Sequence, residues 1–295
     1  MHYRDYLQLD TLLALQHPKS PPDERRVYAA EHFFIVAHQS SELWLAQILL
    51  DLNEATTALT PTPSEPDLAL EHLRRVADTL SVLHSQITTL DQLPSHSFAR
   101  FRPHLGTASG AQSTQFRALD RALGLHNAAP APITTAFTAA AAGYGLATVD
   151  ICRADLEAGP LHRIVDTLLD IAQRHWRWKI AHLSLVSRLL PDTPGTGGTT
   201  GAEYLTGRTT MPFPELRAAQ RTAHSEITCP TVHGGPPAEH RSQGKHIDLG
   251  AATHGRANVV GEPVQVGTER DGGVQEVVHP LGASTHGRQP VVGGR

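Results

Sequence analysis

Apolar residues recur every three to four positions through the first two thirds of the chain, which is the spacing of one face of an α-helix. This pattern predicts a short helix after an extended arm within 2–16, helices over 23–58, 66–91, 136–157 and 161–190, and a short helix from 213. Prolines, glycines and polar stretches separate these segments. No segment in this part alternates apolar and polar residues as a half-buried strand does. We therefore predict an all-α fold for residues 1–224.

Two polar stretches interrupt the helical pattern and are candidates for lining a site. Residues 94–117 are rich in Ser, Gly and Arg, and Ser109 is predicted to cap a helix that runs through Gln112 and Phe116. Residues 194–201 read PGTGGTTG, which predicts a tight loop whose amides and hydroxyls can face a ligand. A phosphate-binding loop is excluded because no lysine follows the glycines and no strand precedes them.

The last part of the chain has a different composition. Residues 225–295 contain no Phe, Tyr or Trp and many Gly, Pro and His residues. Such a segment cannot bury enough apolar surface to offset the entropy lost on ordering. We therefore expect residues 225–295 to form a disordered tail beyond a folded domain at 1–224.

Charge and composition narrow the possible partners. The formal net charge is −4 and the sequence pI is about 6.5, so the chain has no excess of positive charge that would favour nucleic-acid binding. The sequence contains no run of 18 apolar residues, so no membrane span is expected, and the first residues lack the apolar core of a signal peptide. Two cysteines without metal-type spacing favour a reducing cytoplasm.

Two histidines stand at unusual places in strongly helical segments. His38 lies in EHFFIVAHQSSELWL, where Phe34, His38, Ser41 and Leu45 share one helix face. His182 lies in the later segment WRWKIAH. Each could be an ordinary core histidine. Alternatively, His182 could bind haem iron while His38 hydrogen-bonds a substrate whose ring packs on Phe34.

Arg102 and Thr196 are the candidate polar contacts. Arg102 could be an ordinary solvated arginine, or it could form a bidentate pair with a carboxylate, a geometry that lysine cannot supply. Thr196 lies in the glycine loop and could contact a ligand. The glycines there are equally well explained by a tight turn.

Taken together, these motifs resemble the tryptophan 2,3-dioxygenase family. The resemblance covers residues 3–221 and runs in the family's order through FFIVAHQSSELW, FARFRPHLGTASGAQSTQFR, WKIAH, PGTGGTTGAEYL and FPEL. It implies a helical bundle around a b-type haem, with L-tryptophan and O2 as substrates and N-formylkynurenine as product. It also implies a cytoplasmic homotetramer acting in tryptophan catabolism through the kynurenine pathway.

The resemblance also implies a role for each candidate residue. His182 matches the histidine that ligates the haem iron, and His38 matches the distal histidine that contacts the indole nitrogen. Phe34 matches the aromatic residue on the indole. Arg102 matches the arginine that binds the substrate carboxylate, and Thr196 matches a threonine that contacts the amino-acid end of the substrate.

Two further positions complete the comparison. Tyr6 matches a substrate-binding tyrosine that a neighbouring subunit contributes in the family. Phe98 stands where the family commonly has a tyrosine that helps to hold the carboxylate. This difference leaves open a haem-dependent hydroxylase of an aromatic amino acid in natural-product biosynthesis. A haem-binding relative without turnover and a helical scaffold without haem also stay open.

Overall fold

Three long helices carry the fold in the computed structural model, which describes residues 1–60, 63–125, 129–190 and 202–228. The helices are α1 (Tyr3–Tyr6), α2 (Leu9–Leu12), α3 (Arg25–Leu59), α4 (Pro66–Leu90), α5 (Ser95–Phe101), α6 (Thr114–Ala122), α7 (Pro132–Gly143), α8 (Thr148–Ala154), α9 (Pro160–Leu189), α10 (Ala202–Thr206) and α11 (Pro214–Thr228). Short 3₁₀ helices lie at Arg102–Leu105, Gly110–Gln112 and Asp155–Ala158. No strand occurs in the described ranges, and the all-α prediction is confirmed.

Helices α3 and α4 pack antiparallel. The amide of Gln86 donates to Ser40 Oγ at 2.9 Å, and Arg75 Nε donates to the Asp51 carboxylate at 3.0 and 3.1 Å. The earlier residue of α3 therefore meets the later residue of α4. This pairing places the first half of α3 beside the carboxyl end of α4.

Helices α4 and α9 pack parallel. Arg163 lies 3.5 Å from Asp67 near the start of both helices, and Arg188 lies 2.8 Å from Asp91 near their ends. His182 is less than two turns before Arg188, and His38 is two residues before the residue that bonds the end of α4. The two histidines therefore lie at the same end of the bundle.

The apolar core consists of two clusters. The larger one joins α3, α4 and α9 to the shorter helices α6, α7, α8 and α11. The smaller one closes the end of the bundle that carries the two histidines. Its buried members are Val27, Ala30, Leu90, Leu93, Phe98, Phe101 and Leu185.

The long helices confirm the predictions for 23–58, 66–91 and 161–190, and α3 is continuous. Two predictions differ from the structure. The prediction of one short helix after an extended arm within 2–16 is wrong, because α1 begins at Tyr3 and Gln8, at φ 51°, separates it from α2. The prediction for 136–157 is wrong because Gly145, at φ 72°, turns the chain between α7 and α8.

The polar stretch 94–117 contains more regular structure than predicted. Its first part forms α5, and Ser97, Phe98 and Phe101 are buried there. The hydroxyl of Ser109 accepts from the Ala111 amide and caps a 3₁₀ helix, whereas Ser113 caps α6. The predicted Ser109 cap of a longer helix is therefore wrong.

The segment near the predicted tail is helical where it is described. Helix α11 continues to Thr228, past residue 225, and residues 229–295 lie outside the described residues together with the disordered-tail prediction. Within the described part of the chain, no helix combines the length and apolar composition that crossing a membrane requires.

Candidate functional site

Phe34 and His38 form the first half of the candidate site on α3. The ring centroids are 4.0 Å apart with an interplanar angle of 36°. His38 Nδ1 lies 2.8 Å from the carbonyl oxygen of Phe34. A carbonyl oxygen can only accept, so Nδ1 carries the proton and donates it. In the neutral ring, Nε2 is then left as a hydrogen-bond acceptor.

His38 offers a hydrogen-bond acceptor on α3. Its side chain is exposed, yet burial lowers the pKa of His38, against the opposing effects of the Phe34 carbonyl and the Glu42 charge. Desolvation by the surrounding protein disfavours the charged form of an imidazole. His38 is therefore neutral near pH 7, and its Nε2 is free to accept a hydrogen bond.

His182 on α9 lies at the same end of the bundle as His38, because α3 runs antiparallel and α9 parallel to α4. Its side chain is half-buried, and burial lowers the pKa of His182 to about 4, with smaller contributions from His38 and Lys179. The two histidines belong to different helices, and both are neutral at pH 7.

The imidazole of His182 would suit a ligand of haem iron. No hydrogen bond joins its imidazole to another residue in the described part of the chain. A neutral imidazole donates a nitrogen lone pair to a metal, whereas a protonated one cannot. The lowered pKa keeps His182 in the ligating form at neutral pH.

Three phenylalanines form the wall of the site next to His38. The ring of Phe34 lies 6.0 Å from Phe98 and 5.4 Å from Phe101, between centroids. Phe98 and Phe101 pack edge to face at 5.3 Å. Such contacts between rings fix α5 across the first half of α3.

Arg102 follows this aromatic wall directly. It begins the 3₁₀ helix after α5, is half-buried, and lies four residues after Phe98. This spacing puts Arg102 one helical turn beyond Phe98 on the same side. A guanidinium is thereby placed at the edge of an apolar wall, an arrangement suited to an amino acid with an aromatic side chain.

Two predicted site residues remain. Tyr6 on α1 is 71% exposed. Thr196 lies in 191–201, outside the described residues. The structure thus brings Phe34, His38 and Phe98 together, with Arg102 one turn beyond Phe98 and His182 at the same end of the bundle.

The arm that carries Tyr6 is attached to α3. The amides of Lys19 and Ser20 donate to the Glu31 carboxylate at 2.9 and 2.7 Å. Burial alone would raise the pKa of Glu31, but the hydrogen bonds from Ser20 and Lys19 outweigh it and lower the pKa. Further along α3, Gln39 donates to the carbonyl of Leu15 at 3.1 Å.

The sequence prediction missed Phe101 and a buried ion pair behind His182. Lys179 Nζ lies 2.8 and 2.9 Å from the two oxygens of Asp120, and His175 Nε2 lies 3.5 Å from that carboxylate. Lys179 precedes His182 by three residues, so it shares a helix face with it. In the sequence, the three-residue spacing of Lys179 and His182 was a signal for this cluster. The three-residue spacing of Phe98 and Phe101 was likewise a signal for the aromatic wall.

Comparisons with known proteins point in one direction. A family model described as tryptophan 2,3-dioxygenase matches residues 1–143. The tryptophan 2,3-dioxygenase of Anaeromyxobacter sp. (strain K) is 33% identical over 264 residues, which cover 74% of this chain and 94% of the relative. Those of Erythrobacter litoralis (strain HTCC2594) and Kineococcus radiotolerans are each 31% identical, over 75% of this chain and 97% and 90% of the relatives.

Proposed function

The chain belongs to the tryptophan 2,3-dioxygenase family of haem oxidoreductases, and from this premise we propose that it oxidises L-tryptophan or a close analogue. In this proposal O2 is inserted across the indole C2–C3 bond and the product is N-formylkynurenine. The observation that carries it is the pair of neutral histidines, His38 and His182, at one end of the bundle beside an aromatic wall.

His182 is the proposed ligand of a b-type haem. When bound, the haem supplies the activation of O2, and the protein supplies binding, orientation and electrostatics. The burial that lowers the pKa of His182 keeps its nitrogen lone pair available for the iron.

His38 is the proposed partner of the indole N–H. Its Nδ1 is already committed to the Phe34 carbonyl, so Nε2 accepts the hydrogen bond from the substrate. Because burial lowers the pKa of His38, the ring is a weak base and its service is orientation. Phe34 packs on the indole ring, and holding the ring in a reactive position is the main contribution of these two residues.

Arg102 is the proposed partner of the substrate carboxylate, with Thr196 at the amino-acid end. A guanidinium and a carboxylate form two parallel hydrogen bonds. Phe98 packs in the wall and lacks the hydroxyl that the family's tyrosine offers to the carboxylate. The loss of one such bond weakens binding by about 0.5–1.5 kcal/mol, so Arg102 carries most of the carboxylate affinity.

A homo-oligomer, a tetramer by family resemblance, and a cytoplasmic setting are part of the proposal. Tyr3 and Tyr6 are 75% and 71% exposed, so the aromatic side chains of α1 are available to a neighbouring copy. The described cysteine, Cys152, is buried and free, which fits a reducing compartment.

Replacing Arg102 by leucine is expected to weaken L-tryptophan binding by roughly 10- to 100-fold, because hydrogen bonds to a charged group contribute about 1.5–3 kcal/mol. Binding of plain indole, which has no carboxylate, is expected to stay within about twofold. Absorption titration of the haem-loaded protein measures both affinities.

The matched control is Arg100→Leu on α5, two residues before Arg102. Arg100 lies 2.7 Å from Glu24 and is half exposed, so its loss removes an equal charge without touching the site. Equal weakening of L-tryptophan and indole binding by Arg102→Leu, or equal effects of the two substitutions, would remove the carboxylate role from Arg102.

A further inference from the structure

Arg188 holds the turn between α4 and α5 with one side chain. Its Nε donates to the Asp91 carboxylate at 2.8 Å, and Nη2 donates to the Asp91 carbonyl at 2.7 Å. Nη1 donates to Ser95 Oγ at 3.0 Å, and both terminal nitrogens lie 3.3 Å from the carbonyl of Leu93. One guanidinium from α9 thus binds three residues of the turn.

The turn has a physical need for such a donor. The last carbonyls of α4 accept from the amides that follow, as Leu90 O does from Leu93 N at 2.9 Å. The carbonyls of Asp91 and Leu93 lie beyond the helix, and Asp91 adds a negative charge at the negative end of the helix dipole. Pro94 has no N–H to offer to these two carbonyls. The guanidinium of Arg188 donates to both carbonyls and neutralises the charge.

Helix α5 depends on contacts outside itself for its position. It has seven residues, which is too short for independent stability. Arg188 holds its first residue, Ser95, and the aromatic wall holds its later part through Phe98 and Phe101. Leu185, on the same helix as Arg188, packs in the apolar cluster with these two rings.

We propose that Arg188 is a positioning residue for substrate binding: by locking the Asp91–Ser95 turn, it orients α5 so that Arg102 meets the substrate carboxylate. The inference rests on the carboxylate role proposed above for Arg102. It adds a mechanical link between the helix that carries His182 and the segment that binds the amino acid.

The test is Arg188→Lys in the haem-loaded protein. Lysine keeps the positive charge, but its ammonium group cannot bind three residues at once as the planar guanidinium of Arg188 does. L-Tryptophan affinity is expected to fall by about tenfold, because a misplacement of about 1 Å suffices for effects of this size. Indole affinity and haem stoichiometry are expected to stay at the wild-type level. Ser95→Ala, which removes one acceptor of Arg188, is expected to give a smaller change of the same kind.

Arg174→Lys is the matched control on the same helix. Arg174 also binds α4, through the carbonyl of Ala77 at 3.0 Å and Ser81 Oγ at 2.7 Å, but it lies almost four turns before Arg188. Its loss is expected to lower the unfolding temperature without changing the ratio of L-tryptophan to indole affinity.

The outcomes separate this inference from the proposed function. If Arg102→Leu weakens L-tryptophan binding selectively while Arg188→Lys and Ser95→Ala do not, the positioning role is wrong and the proposed function stands. If Arg188→Lys weakens both ligands equally, or Arg174→Lys changes the same ratio, Arg188 is only a structural residue. If Arg102→Leu itself has no selective effect, both the positioning role and the carboxylate role are wrong.

Discussion

Replacing His182 by alanine is expected to abolish haem binding. The His182 imidazole is neutral because burial lowers its pKa to about 4, and it lies at the same end of the bundle as His38. An alanine offers no lone pair to the iron, so the largest single contribution to haem affinity disappears. The measurement is the Soret absorbance together with the haem-to-protein stoichiometry of the purified variant.

Two further variants make this result specific. His38→Ala is expected to keep haem at the wild-type stoichiometry, because His38 acts on the substrate and not on the iron. His182→Gly leaves a cavity, and added imidazole is expected to restore haem binding there if the variant is folded. A normal Soret band and full stoichiometry in His182→Ala would contradict the assignment.

Replacing Asp120 by asparagine is expected to lower the free energy of unfolding by about 3 kcal/mol, the size of effect seen when one partner of a buried ion pair is removed. Asp120 is 7% exposed and His175 is fully buried, while Lys179 donates to both carboxylate oxygens. Asparagine keeps the shape of the side chain but leaves the charge of Lys179 uncompensated in a poorly solvated place. Urea-induced unfolding of the variant and wild-type proteins measures the difference.

The same pair predicts how stability changes in acid. Burial alone would raise the pKa of Asp120, but the interactions with His175 and Lys179 lower it from 3.8 to about 2. A lowered folded-state pKa stabilises the protein fully above the unfolded value and loses this effect as the pH falls through the folded value. The contribution of Asp120 is therefore complete at neutral pH and disappears between about pH 4 and pH 2, a loss that Asp120→Asn does not show.

An exposed ion pair between two long helices provides the control. Asp67 is 80% exposed and lies 3.5 Å from Arg163, so Asp67→Asn is expected to change stability by less than about 1 kcal/mol. The double variant Asp120→Asn/Lys179→Met is expected to recover part of the loss, since it removes the uncompensated charge. If Asp120→Asn and Asp67→Asn lowered the free energy of unfolding equally, the buried ion pair would contribute no more to stability than the exposed one.

The long helices could be predicted because their apolar spacing extends over many turns. The continuous α3 and the helix that carries His182 follow from this spacing, and so does the shared face of Phe34 and His38. The breaks at Gln8 and Gly145 could not be predicted with equal precision. A left-handed residue changes the direction of the chain without disturbing the apolar pattern around it.

The short helix α5 shows why part of the site could not be predicted from the sequence. Its seven residues span two turns, too few for a periodic pattern, and its polar neighbours suggested a connector. What buries Phe98 and Phe101 is a tertiary contact with Phe34, more than 60 residues earlier in the chain. In the same way, nothing near Arg188 in the sequence indicates that it binds the turn before α5.

The shared position of His38 and His182 follows from helix directions and not from either local sequence. It requires α3 to run antiparallel and α9 to run parallel to α4, and contacts such as Ser40 with Gln86 and Arg188 with Asp91 establish these directions. In the sequence, only the family resemblance places the two histidines together. The helix directions give a physical reason for their position at one end of the bundle.

The most direct test of the central claim is the fate of oxygen in the reaction of the reduced, haem-loaded protein with L-tryptophan. With isotopically labelled O2, the account predicts that both atoms of one O2 molecule enter a single product with an opened indole ring, identified by its mass as N-formylkynurenine. A product that carries one labelled atom on an intact ring, or no consumption of O2 with any indole or phenol substrate, would contradict it.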